Sequence, residues 1–290
     1  MDLESILSAH TRDLQGIAKQ QRDAYFNAEP FPNIVFKNFF KDEYLDKILK
    51  DFPDLERLRK TRIYNSQNEV KFENNKRENI PQSIHDFILF LNSDFFLKFL
   101  QNLTSVKETL IADPNLDGGG LHEIKRGGKL KIHTDFHMHP TSELDRRLNM
   151  LIYLNKNWKD TYGGHLELWD LEMKNCIKKV SPQFNTVVIF STTDFSNHGH
   201  PDPLDCPENI TRKSLALYYF SKGRPQEEII TKPIKNTTHF KSRQGIKNDI
   251  ESDKTNFFRK IFRHFIFYEK LKNFEKKFIR TGKSAKKRKE

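Results

Sequence analysis

The 290-residue sequence predicts an α+β fold, with helices from the N-terminal third packed outside an antiparallel β sandwich or barrel. Three observations predict it. Apolar residues recur at helical spacing up to about Leu103. Short β-rich runs separated by Gly, Pro, Asn and Asp then recur for about 100 residues after Gly118-Gly119-Gly120. Hydrophobic residues make up 36% of the chain and Phe alone fills 25 positions, so there is enough apolar surface to bury a core despite 31% charged residues.

Taken in order, Leu3, Ile6, Leu7, Leu14 and Ile17 share one helical face, which predicts a short helix over 3–17. A turn at Pro30-Phe31-Pro32 leads into the strand Ile34-Val35-Phe36. Asp42 is placed to cap a helix that buries Leu45, Ile48, Leu49 and Phe52 before Pro53 stops it. The apolar stretch from Ser83 to about Leu103 reads as helix, broken near Asn92-Ser93. Strands follow at 121–125, around Leu130 and Ile132, and at 148–154, 166–169, 186–190 and 214–220. Residues 226–254 are polar without sustained periodicity and read as a connection. Beyond them Phe257, Phe258, Ile261, Phe262, Phe265 and Ile266 recur with Lys and Arg between them, a basic amphipathic helix over 255–290 that ends in a frayed tail.

Composition narrows the function classes. Cys176 and Cys206 are the only cysteines, which excludes a disulfide framework and a zinc site of three or four thiolates, and fits a reduced, cytoplasmic setting. No stretch approaches the ~18–20 apolar residues of a membrane-spanning helix, and the first residues lack the pattern of a secretory signal. The formal charge of +11 is uneven: residues 275–290 carry eight basic residues against two acids, a net of +6, leaving +5 for the rest. That tail can meet an anionic surface, but no aromatic-basic motif points to specific nucleic-acid binding.

The chemistry concentrates in the β-rich region. His133 and Asp135 stand two apart at the end of an extended run, so both side chains can converge on one point. His198 follows the strand 186–190 after a short loop, and a double-sheet jelly roll would bring it opposite the pair. Two imidazoles and a carboxylate then form the 2-His-1-carboxylate facial set suited to Fe(II), which leaves positions open. Arg212 supplies a permanently charged fork for a carboxylate, and Tyr153 and Ser214 can add hydrogen bonds. Ordinary readings stand beside these: Arg212 can pair with a neighbouring acid, Tyr153 can be a core aromatic, and His137, His139, His165 and His200 can be surface or hydrogen-bonding residues.

Six pieces occur in one order: His133-x-Asp135; Leu151-Ile152-Tyr153-Leu154-Asn155 followed by Lys156-Asn157-Trp158; Gly163-Gly164 before His165-Leu166-Glu167-Leu168; Ser181-Pro182-Gln183-Phe184-Asn185 before 186–190; His198-Gly199; and Arg212-Lys213-Ser214. In this the chain resembles the prolyl 4-hydroxylase-like Fe(II)- and 2-oxoglutarate-dependent dioxygenases over roughly residues 117–224. The resemblance implies a double-stranded β-helix (jelly-roll, cupin-like) core. It implies His133, Asp135 and His198 as iron ligands, Arg212 on the distal carboxylate of 2-oxoglutarate with Tyr153 assisting and Ser214 completing the Arg-x-Ser form. Fe(II), 2-oxoglutarate and O2 would be required, with ascorbate as a reductant, and succinate and CO2 released. The carboxylate of Asp135 favours hydroxylation over halogenation. One departure is the long stretch between His198 and Arg212, which contains a second ligand candidate, His200.

The organisation expected is a helical extension over 1–30, an oxygenase domain over 31–225, a polar connection over 226–254 and the basic helix and tail over 255–290. The substrate expected is a peptidyl prolyl or other protein side chain, with a small molecule or glycan as the alternative. A non-catalytic module docking through the basic helix is the reading of a different class.

Overall fold

A computed structural model describes residues 3–225, 228, 237–246 and 249 of the chain. The helix expected over 3–17 is interrupted: α1 spans Leu3–Ile6 and α2 spans Leu14–Phe26. Tertiary contacts override the helical spacing between them. Thr11 donates its hydroxyl to the Phe39 carbonyl at 2.5 Å and Leu7 bridges to Phe40, and Asp13 then starts α2 by accepting from the Gly16 N–H. Helix α3 covers Asp42–Lys50, with Lys41 at the cap position. Asp42 lies inside the first turn instead, where its carboxylate accepts from Asn185 at 2.6 Å. The expected break at Asn92-Ser93 separates α4 (Gln82–Leu91) from α5 (Asp94–Thr104), and the Ser93 hydroxyl accepts from the Phe96 N–H.

The helices cover one face of a sheet. Strands β1 (Asn33–Lys37), β10 (Thr186–Ser191), β7 (Asp145–Tyr153), β12 (Arg212–Ser221) and β5 (Gly120–Ile124) lie side by side, all antiparallel. A second layer orders β6 (Lys129–Thr134), β11 (His198–His200), β8 (Leu166–Trp169) and β9 (Cys176–Val180). Strand β3 (Glu69–Asn74), paired with β2 (Arg62–Asn65), bonds to both β5 and β6 and so joins the layers along one edge. The result is the jelly-roll core flanked by N-terminal helices that the sequence leads one to expect. Strands β2, β3, β9 and β11, and the short β4 (Ile111–Ala112) and β13 (His239–Phe240), were not legible: they are polar or only two to six residues long, and their partners define them.

Alternation along β7 divides the interior. Leu148, Met150 and Ile152 join the helix-side core with Leu215 and Leu217, whereas Tyr153 packs with Val188, Phe190, Leu166 and Leu168 between the layers. The helix-side core is held by aromatic rings: Phe39 lies 4.9 to 6.4 Å, centroid to centroid, from Phe36, Phe40, Phe96 and Phe99. Of the connection over 226–254, the described part includes β13, which pairs with β6. The basic helix and tail expected over 255–290 lie outside the described residues. Among the described residues no helix is long and apolar enough to cross a membrane.

Phe39 is fully buried at the centre of that aromatic group. Phe39→Ala is expected to cost about 3–5 kcal/mol in urea unfolding. A loss below ~1 kcal/mol would show that the helices do not pack on the sheet in this way.

Candidate active site

The site forms between the two layers. Register partners across an antiparallel sheet share a face, so Tyr153, Ser214 and His122 form one inward row over β7, β12 and β5. His133, on β6, is directly opposite His198 on β11, and their rings are 4.4 Å apart. Asp135 lies just past the end of β6. Its Oδ1 is 3.7 Å from His133 Nε2 and its Oδ2 is 3.5 Å from His198 Nε2. The three donor atoms lie within 4.8 Å of one another, and all three residues are buried.

The rings are oriented from behind. His133 Nδ1 is 2.8 Å from the Lys131 carbonyl and His198 Nδ1 is 2.8 Å from the Ser196 carbonyl. A carbonyl only accepts, so each Nδ1 carries the proton and each Nε2 presents a lone pair to the shared point. Phe240 packs on the His133 ring and Phe190 on the His198 ring. Burial lowers His198 from 6.5 to about 4 against the pull of Asp135, which leaves its ring neutral at neutral pH. Burial by itself would raise the Asp135 carboxyl, but Arg146 and the two imidazoles hold it well below the usual range. Two neutral imidazoles and one carboxylate are a donor set that fits an open ferrous site.

Sequence reasoning missed the residues that hold Asp135. Asn149 donates to Asp135 Oδ2 at 2.8 Å, and Arg146 Nη2 is 3.2 Å from the same atom. Arg146 also donates through Nε and Nη2 to Asn149 Oδ1, with its guanidinium between the rings of Phe136 and Tyr218 at 4.4 and 3.4 Å. One signal was present: Asn149 is a polar residue four before Tyr153, on the same inward alternation, within the otherwise apolar stretch 148–153.

Arg212 opens β12 and is buried. Its Nε donates to the Gly164 carbonyl at 2.8 Å and its Nη2 to the Tyr153 hydroxyl at 3.2 Å. Gly164 has φ +70°, and a Cβ there would stand 2.5 Å from Leu204 and 3.0 Å from Arg212, which explains the glycine at this approach. Among the described residues no carboxylate lies within 4 Å of Arg212, so the ordinary reading of a pairing acid does not hold. A buried, unpaired guanidinium is costly unless an anion comes to it. Ser214 is buried beside it in the same row.

His198, not His200, lies together with His133 and Asp135. His200 is buried two residues further on with no partner for either ring nitrogen, and the groups that bear on it are Arg212, Lys71, His133 and His122. Orphaned imidazole nitrogens and an unpaired guanidinium in one chamber fit an anionic cosubstrate such as 2-oxoglutarate.

The other histidines keep ordinary roles. His137 meets Asp194 at 2.6 Å and His165 meets Asp160 at 3.0 Å. His139 reaches Asp113 and Asp117 at 3.4 and 3.3 Å, a second group with metal-like composition. There the Nδ1 accepts from the N–H groups of Thr141 and Ser142, so the proton sits on Nε2 and is shared with the two carboxylates. Cys206 is buried, and burial raises its thiol.

Residues 119–220 match the family model of the 2OG-Fe(II) oxygenase superfamily. No curated protein matches. The fold is similar to that of a prolyl hydroxylase from Trichoplax adhaerens solved in complex with a hypoxia inducible factor oxygen degradation domain peptide fragment. The TM-score is 0.53 at 14% identity, covering 73% of this chain and 92% of that one. It is also similar to a Pseudomonas putida prolyl-4-hydroxylase, with TM-score 0.51, 11% identity, and coverage of 73% and 100%. Identity this low speaks to the fold alone. The matched segment contains His133, Asp135, Tyr153, His198, Arg212 and Ser214, so over residues 119–220 the chain is similar to the 2OG-Fe(II) oxygenase superfamily.

Proposed function

We propose that this chain hydroxylates an unactivated C–H bond of its substrate, consuming 2-oxoglutarate and O2 and releasing succinate and CO2. The observation that carries the reading is the pair of carbonyl-anchored imidazoles whose free Nε2 atoms face Asp135, with all three residues buried. Fe(II) with 2-oxoglutarate, when bound, supplies the oxidising chemistry. The chain's own residues do the rest.

His133, Asp135 and His198 would hold the metal from one side. Asn149 and Arg146 take up Asp135 Oδ2 and fix the carboxylate plane, so Asp135 would meet a metal without reorganising. Arg212 would grip the distal carboxylate of 2-oxoglutarate, aimed by Gly164 and Tyr153 and assisted by Ser214. The Tyr153 hydroxyl, raised by burial, stays protonated and can donate to the same carboxylate. Phe190, Leu168 and Val188 line the interior beside the ligands and keep it dry.

Two substrate classes fit. A peptidyl prolyl or other protein side chain is supported by the prolyl hydroxylases that share the fold. A small polar molecule or glycan is supported by the polar inward row that continues from Ser214 through His122 to Glu73.

Succinate release from 2-oxoglutarate with Fe(II) tests the oxygenase chemistry, and mass spectrometry for a gain of one oxygen tests the hydroxylation. His133→Ala and Asp135→Ala are each expected to abolish iron-dependent turnover while the circular dichroism spectrum stays native; undiminished turnover in either variant would move the metal elsewhere. Arg212→Lys loses the two-point grip and is expected to weaken 2-oxoglutarate binding roughly tenfold to a hundredfold by calorimetry. Asn149→Ala is expected to lower metal affinity by about 10–100-fold, because Asp135 then keeps only Arg146.

The pH dependence has a definite sign. The metal needs an unprotonated His198, and a value lowered to about 4 leaves it unprotonated well below its ordinary 6.5. In the metal-free protein the His198 ring nitrogens, followed by 15N NMR, are expected to keep the neutral form as pH falls from neutral to about 5 and to protonate towards about 4. A midpoint near the ordinary histidine value would show that the ring is not buried as described.

A further inference from the structure

The chamber holds a histidine that the metal does not use. The inward row of Tyr153, Ser214 and His122 continues onto Glu73 of β3. Alternation along β3 puts Glu69 on the same face as Glu73, and the register from Glu69 through Leu130 to His200 carries that face across β6 to β11. His200 therefore faces the chamber, as does His198 two residues before it on the same strand. A bulge reconciles the two pairings: His198 stands opposite His133 and His200 opposite Leu130, so Gly199 faces both Lys131 and Ile132. A Cβ on Gly199 would stand 2.7 and 2.8 Å from the carbonyl oxygens of Leu130 and Lys131, so only glycine lets the strands meet there.

The other edge of β11 fixes the direction in which His200 lies. His198 pairs with Leu168 and Gly199 with Glu167, so β11 runs from the ligand group towards the start of β8 and Gly164. The Gly164 carbonyl is the one that accepts from Arg212 Nε. His200 is thus on the Arg212 side of His198, beside the path of any molecule that spans the metal point and the guanidinium. Arg212 is accordingly the charged group that bears on it most.

His200 is 3% exposed, and among the described residues neither ring nitrogen has a hydrogen-bond partner. An imidazole carries at least one N–H in any ionisation state, so a buried donor is left without an acceptor. Buried polar atoms are rarely left in this state unless something else satisfies them. Arg212 and Lys71, the cations that bear on the ring, can only donate. The acceptor must come with a guest, and the unpaired guanidinium makes that guest an anion. Two of the five guanidinium N–H groups are already committed, to Gly164 and Tyr153, so a carboxylate with room for about four hydrogen bonds has capacity left for His200.

We propose that His200 donates its ring N–H to the distal carboxylate of 2-oxoglutarate beside Arg212, and so sets the selectivity of the chamber for a dicarboxylate over a 2-oxo monoacid. The inference rests on the oxygenase reading above and adds a selectivity residue to that same site. It gives the second histidine after β10 a task other than holding metal.

The test uses the full chain loaded with redox-inert Zn(II) and two probes. One is 2-oxoglutarate, and the other is 2-oxopentanoate, in which a methyl group replaces the distal carboxylate. Calorimetric binding of 2-oxoglutarate to the unmutated protein checks the oxygenase reading, and no binding overturns that reading and this inference with it. On a protein that binds it, 2-oxoglutarate is expected to move the His200 ring N–H proton resonance downfield, the direction of a newly donated hydrogen bond, whereas saturating 2-oxopentanoate leaves it in place. In His200→Phe the affinity for 2-oxoglutarate is expected to fall roughly tenfold and that for 2-oxopentanoate to stay unchanged. His200→Gln, which restores an N–H, is expected to recover part of the loss. The inference alone is overturned if bound 2-oxoglutarate does not move the resonance, if both probes move it equally, or if a His200→Phe variant with a native circular dichroism spectrum keeps the same selectivity between them. The resonance is read in the unmutated protein, so the result does not depend on either variant folding.

Discussion

Everything at the site depends on one register: His133 of β6 standing opposite His198 of β11. Residues paired directly across an antiparallel ladder are as close as two side chains on different strands can be, and here the pairing joins residues 65 apart in sequence. The backbone then contributes twice. It sets the two rings 4.4 Å apart, and it supplies the carbonyls of Lys131 and Ser196 that hold their Nδ1 protons. A shift of one residue would turn one ring out of the chamber and leave its buried carbonyl without a donor.

The rest of the architecture protects that register. The helix layer and its Phe39-centred aromatic group bury the outer face of the β7 and β12 sheet, so alternation forces Asn149, Tyr153 and Ser214 inward. Strand β3 ties the two layers together by bonding to β5 and β6 at once. Asn185 fastens the turn before β10 to the start of α3: its side chain donates to the Phe40 carbonyl and accepts from the Phe40 N–H. Helices and strands are thus coupled at the points where the sheet could otherwise splay.

Charge in the interior is arranged with the same economy. Arg146 is satisfied by Asn149, Asp135 and two aromatic faces, whereas Arg212 has a carbonyl, a hydroxyl and an aromatic face but no acid among the described residues. Two buried guanidiniums at opposite ends of the β7–β12 ladder therefore do different things. One holds the Asp135 carboxylate in place, and the other is left without an acid among the described residues.

Much of this was legible before any coordinates. The Ser83 to Leu103 helix with its break and the long strands of the jelly roll follow from periodicity and turn residues, and the ordered motifs single out His133, Asp135, His198, Arg212 and Tyr153 as candidates, because these signals are local in sequence. Asn149, Arg146, His122 and Glu73 were not, since a polar residue on a strand announces nothing until its register partner is known. The same reason separates His198 from His200: both are histidines after one strand, and only the ladder with β6 puts the first opposite His133. By itself the sequence determined which chemical groups are present and which strands could carry them. The tertiary structure alone decided which groups face one another, because strand pairing brings together residues that have no relation along the chain.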